Sequence, residues 1–114
     1  MKKIIMAALV LILGIGAAEA GSGTGRVTYF VSMTLNGQEA FVVRFSTMNG
    51  IASCNSASRF VMTAADPKYK TTLAILLGAW LSGNTTAFVY GTGSCTIYSG
   101  SEDLMYACAG GDPC

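Results

Sequence analysis

Phe30, Ser32 and Arg44 form the set of side chains in this sequence best suited to holding a sugar. They belong to an expected strand-pair face with Thr28, Phe30, Ser32 and Thr34 on one strand and Val42, Arg44 and Ser46 on the next. A guanidinium grips a carboxylate through two parallel hydrogen bonds, hydroxyls orient sugar oxygens, and a ring face receives apolar C–H edges. An acidic glycan is the ligand such a set would take. Hydroxyls are also common on strands, so an ordinary solvent face or a subunit contact accounts for the same residues.

Other constellations carry less chemistry. Gly91-Thr92-Gly93-Ser94 lacks the lysine and following helix that a phosphate-binding loop needs. Glu102 and Asp103 are adjacent on an expected turn, so their carboxylates diverge and read as solvated charges rather than an acid–base pair. The chain has no histidine, which removes the usual base of a serine or cysteine hydrolase and the commonest metal ligand. A non-enzymatic protein with no metal and no cofactor is expected.

The four cysteines, Cys54, Cys95, Cys108 and Cys114, lack the close pairs of a zinc finger and in an exported chain imply two disulfides. Cys108 and Cys114 flank Ala-Gly-Gly-Asp-Pro, which favours chain reversal, so they are expected to pair with each other and leave Cys54 to Cys95. On the chain-entropy argument the longer ring contributes about 4 kcal/mol and the shorter about 2 kcal/mol.

Periodicity gives the strands and the helix on which these residues sit. Gly21-Ser22-Gly23-Thr24-Gly25 reads as a flexible leader. Val27, Tyr29, Val31, Met33 and Leu35 alternate with Thr28, Phe30, Ser32 and Thr34, the period of a half-buried strand with the first set inward. Asn36-Gly37 marks a hairpin turn, and a second strand follows over 39–47 with Phe41, Val43 and Phe45 on one face. A loop over 48–58 carries Cys54, and residues 59–63 form a third strand. Leu73, Leu76, Leu77, Trp80 and Leu81 then recur at helical spacing. Asp66 suits the N-cap, Pro67 the first turn, and Gly83 with Asn84 the C-terminal cap. The other side of this helix carries Ala74, Ile75, Gly78 and Ala79 without charge, so a second packing surface is expected there, with Ile75, Gly78 and Ala79 at an oligomer interface. Two more strands are expected, over 85–91, with 95–98 as an extension, and over 104–108.

Composition bounds the class and the address. The chain has 114 residues, 52% of them hydrophobic and only 11% charged, with a formal charge of +1. No basic field exists to neutralise phosphates, so nucleic acid is not an expected partner. Lys2 and Lys3 precede an apolar run over 4–18 that ends in Ala18-Glu19-Ala20, the pattern of a secretory signal peptide cleaved after Ala20. Residues 1–20 are therefore read as a signal peptide and 21–114 as a single domain, periplasmic or secreted, with no membrane span after cleavage. Lys2, Lys3 and Glu19 leave with the peptide, so five basic and five acidic side chains remain.

Three strands, a helix and two strands within one small domain is the layout of an OB-fold, a mainly β, five-stranded Greek-key barrel with one α-helix between strands 3 and 4. With the exported precursor, the segments Cys54-Asn55-Ser56-Ala57-Ser58-Arg59-Phe60 and Gly91-Thr92-Gly93-Ser94-Cys95, and the helix ending at Ser82-Gly83, the chain resembles exported bacterial OB-fold proteins related to the B subunits of subtilase-cytotoxin-like and pertussis-like AB5 toxins. The resemblance implies a homopentamer, recognition of a cell-surface glycan of sialic-acid type and a catalytic A subunit as partner. The alternative is a periplasmic or secreted OB-fold of structural or inhibitor-like type that binds a protein partner.

Overall fold

The computed structural model describes residues 20–83 and 87–109. The elements are β1 (Ser22–Leu35), β2 (Gln38–Asn49), β3 (Phe60–Thr63), α1 (Tyr69–Ser82), β4 (Ala87–Gly91) and β5 (Glu102–Ala109), in the expected order. The fold is mainly β. Its five strands close into a barrel in the order β1-β2-β3-β5-β4, with β4 returning to β1. Every pairing is antiparallel except that of β3 with β5. Among the described residues, no helix is long and apolar enough to cross a membrane.

The hairpin between β1 and β2 turns where Asn36 and Gly37 both take positive φ, 51° and 79°, the geometry of a two-residue turn that matches strand twist. The expected flexible leader is instead built into the barrel. Ser22–Thr24 pair with β2 on one edge and, with Gly25, with β4 on the other. Gly23 makes this closure sterically possible, since a Cβ there would lie 2.7 Å from the Phe45 ring and 3.2 Å from Phe60.

Strand β1 does not alternate strictly. Its register against β2 shifts between Thr24 and Val27 and again between Val27 and Tyr29, and each extra residue in a bulge moves the side chains beyond it to the other face. Val27 points into the core as expected. Beyond the second shift Phe30 stands opposite Val43 and Ser32 opposite Phe41, on the inward side, whereas Tyr29 stands opposite Arg44. The core joins Phe41, Val43 and Phe45 of β2 to Phe60, Met62, Val89 and Leu104, with Tyr69, Leu76 and Ala79 of α1. Val42, expected outside, is also fully buried, as is its β3 partner Val61.

The helix begins later than Asp66 and Pro67 imply. Lys68 occupies the N-cap without a side-chain cap bond. Asp66 shapes the approach instead, its Oδ1 accepting from the Lys68 N–H at 2.8 Å and its carbonyl from the Tyr69 N–H at 3.0 Å. Gly83 ends the helix in the left-handed region (φ 69°), its N–H reaching the Ala79 carbonyl; Asn84 lies outside the described residues. The helix packs on β1, β4 and β5 through Tyr69, Thr72, Leu76 and Ala79.

That face differs from the expected one. Leu73 and Leu76 turn toward the barrel, while Leu77, Trp80 and Leu81 are 39%, 43% and 78% exposed. Ala79, expected at an interface, is core. Both stripes satisfy a 3.6-residue period, and a helix apolar nearly all round gives periodicity no means of choosing. The barrel takes the stripe of Tyr69, Thr72, Leu76 and Ala79, whose small members at 72 and 79 are buried against it.

Cys54 and Cys95 form a disulfide, with Cα atoms 6.0 Å apart. Cys108 is disulfide-bonded too; its expected partner Cys114 lies outside the described residues, as do positions 1–19 of the expected signal peptide. Residues 95–98 do not extend a strand; they belong to a loop pinned by an isolated bridge between Tyr98 and Ser101.

Candidate functional site

The bulge in β1 divides the residues expected to bind a sugar. Phe30 stacks on the core ring of Phe41, centroids 5.7 Å apart, and lies 6.5 Å from Trp80. Ser32 is on the same side of the strand and exposed. Arg44 is on the opposite face, with its guanidinium 5.3 Å from the centre of the Tyr29 ring. Arg44 also has structural work, since Nε donates to the Ser58 carbonyl at 3.3 Å and Nη2 to the Ala57 carbonyl at 2.9 Å. Those carbonyls belong to a loop strained at Ser58 (φ 54°). The three side chains therefore do not converge on one ligand.

Three apolar residues of α1, Leu77, Trp80 and Leu81, instead form an exposed ridge. Gly78 lies between them with open space where a side chain would be, and Ile75 is half-buried. The only charged residue of the helix is Lys70, in its first turn. Through the Trp80–Phe30 contact the ridge continues onto β1. Exposed apolar side chains grouped in this way are a general feature of docking surfaces, which makes the ridge the candidate site here.

Where α1 begins, a cleft of about 440 Å³ is lined by Glu39, Asp66 and Lys70 above Tyr69 and Leu73. Burial pushes the Tyr69 phenol above its ordinary pKa, and the nearby Glu39 carboxylate adds to the shift. The phenol stays protonated at neutral pH and can only exchange hydrogen bonds. Nothing in the cleft pairs a nucleophile with a base.

Across the barrel, Glu102 is fully buried rather than solvated on a turn. Its Oε2 accepts from the N–H groups of Gly21 at 2.9 Å and Gly93 at 3.0 Å, and Oε1 accepts from Ala52 at 3.4 Å. Glycine is required beside it, since a Cβ at Gly91 would overlap the carboxylate and one at Gly21 would lie 2.8 Å from Oε1. Asp103 turns the other way, toward Thr96 and Ile97. Sequence reasoning missed Glu102 because its partners lie 81, 50 and 9 residues away.

A second feature missed from sequence is a strip of half-buried rings on β4 and β5. Phe88 and Tyr90 meet edge to face at 4.8 Å, and Tyr90 meets Tyr106 at 5.1 Å. The alternation Phe88-Val89-Tyr90 was its available signal. The rings pack on one another at 64° and 42° and offer no flat platform. Among the described residues no group of three or more acidic or cysteine side chains is placed to hold a metal. Compared with family models, curated proteins and solved structures, the chain finds no match in any of the three.

Proposed function

We propose that the mature chain is an exported, non-enzymatic binding subunit built on an OB-type barrel, and that it docks protein, in the first place a second copy of itself, through the helix ridge. The exposed Leu77–Trp80–Leu81 ridge carries the reading. Transfer of such side chains from water is worth about 25 cal/mol per Å², and a ridge without charge self-associates without like-charge repulsion. The OB assignment is supported by the strand order β1-β2-β3-β5-β4 and by the helix between β3 and β4. The resemblance to toxin B subunits supplies a ring of five as the arrangement to test. A glycan-binding role would need a site other than Phe30, Ser32 and Arg44 acting together, which favours the protein-partner reading.

The test is the mass of the purified mature protein in solution at micromolar concentration. An assembled species is expected, and Leu81→Lys and Gly78→Arg should each return it to a monomer with unchanged circular dichroism. Neither substitution crowds the monomer, because Leu81 is largely exposed and Gly78 faces open space. A wild-type monomer, or an assembly indifferent to both changes, rejects the reading.

A further inference from the structure

Glu102 is a carboxylate with no exposed surface, held by three backbone N–H groups, and among the described residues no cation is paired with it. The charged side chains next to it in the fold are otherwise engaged. Arg59 donates to the Ser101 hydroxyl and lies over the Tyr98 ring, and Asp103 faces Thr96. Desolvating an anion is costly unless a countercharge accompanies it. One of the three donors is the N–H of Gly21, the residue that follows the expected cleavage point at Ala20. The boundary of burial falls at that bond, with Ala20 exposed and Gly21 buried.

We propose that the Glu102 cradle is the binding site for the chain's own new N-terminus, the α-ammonium of Gly21 released by a signal peptidase. Hydrolysis adds one water across the Ala20–Gly21 bond. The C–N bond breaks, Ala20 leaves as a carboxylate, and the Gly21 nitrogen takes up a proton to become an ammonium. A single neutral N–H donor 2.9 Å from Oε2 thereby becomes a cation with three donors beside the carboxylate. Glycine at 21 is part of the recognition, because a Cβ there would lie 2.8 Å from Oε1 and tightly, at 3.2 Å, against the carbonyl of Gly50. Leader removal then completes a buried ion pair, and the uncleaved chain folds without it.

The experiment uses the protein exported from its full-length precursor, together with a chain that retains Ala20 and so carries its ammonium one residue outside the cradle. Mass spectrometry of the exported protein should show Gly21 as its first residue; a different start rejects the proposal. In denaturant titration the Ala20-retaining chain should unfold with an equilibrium constant about tenfold to a hundredfold larger, each factor of ten corresponding to about 1.4 kcal/mol. Glu102→Gln should abolish that difference. Because this variant can fail to fold, the α-amine is also labelled with an amine-reactive ester at neutral pH. The native exported protein should react at least about tenfold more slowly than the same protein in denaturant, since a tightly paired ammonium is withheld from the reagent. Equal unfolding constants for the two N-termini, or labelling as fast in the native as in the denatured protein, overturns the proposal. These readouts do not involve the helix ridge, so a monomeric result there leaves them intact.

Discussion

The two ends of this barrel invert the ordinary rule of burial. At one, Leu81 and Trp80 stand in water on α1; at the other, Glu102 has no solvent contact at all. Residue type does not separate them. What separates them is whether neighbouring backbone can supply the missing partner. Gly21, Ala52 and Gly93 supply amides that replace water around a carboxylate, and the missing side chain of Gly91 leaves room for it, whereas no segment of the described chain covers the ridge. The polar end is closed by the chain's own amides, and the apolar ridge is left exposed by the described residues.

Breaking the closed end should produce the larger stability losses. The loop that delivers the Ala52 N–H to Glu102 is tied by the Cys54–Cys95 bond. Replacing both cysteines with alanine should cost about 4 kcal/mol from a ring of this length, read as a lower denaturant midpoint with a steeper slope, since the freed denatured chain exposes more surface. Gly91→Ala should cost about 3 kcal/mol by driving a methyl into the Glu102 carboxylate. Glu102→Ala in the same chain should recover part of that loss, since it removes the collision; no recovery would show that the damage lies in the backbone of β4.

A smaller effect is expected at Arg44, which holds the far side of the same loop through the Ala57 and Ser58 carbonyls. Arg44→Ala should cost about 1–2 kcal/mol, the scale of charge-assisted bonds weakened by partial exposure. Faster amide exchange over residues 55–59 should accompany the loss. If stability is unchanged but binding of an acidic glycan falls, Arg44 is a ligand residue and the division between β1 faces has been misjudged. The open end should yield the least: Leu81→Lys should alter monomer stability by no more than about 0.5 kcal/mol while abolishing assembly.

Much of the fold was legible because it is local. The Asn36-Gly37 turn needed only two residues to specify it, and Gly83 ended the helix as a glycine in the left-handed region should. The misjudged features are those that depend on distant partners. Strict alternation in β1 predicted Phe30 outward, yet the bulge before Tyr29 exists only in register with β2. The helix presented two apolar stripes, and only the tertiary packing shows that the one with Thr72, Leu76 and Ala79 is buried. For the candidate site the loss was greater, since Glu102 looks like any turn carboxylate until Gly21, Ala52 and Gly93 are brought around it.

The double pairing of Ser22–Thr24 has a consequence in time. A ribosome delivers these residues early, and β2 emerges directly after them, but the strand that closes their other edge, with Val89 opposite Gly23, arrives about 65 residues later, some seconds at ordinary synthesis rates of about 5–20 residues per second. Throughout that interval the nascent hairpin carries an open row of amides and carbonyls that invites pairing with a neighbouring chain. The first strand made stays half-paired until the fourth is made, so a holding factor or a delay in folding until the whole chain is free would serve this protein better than folding as it emerges.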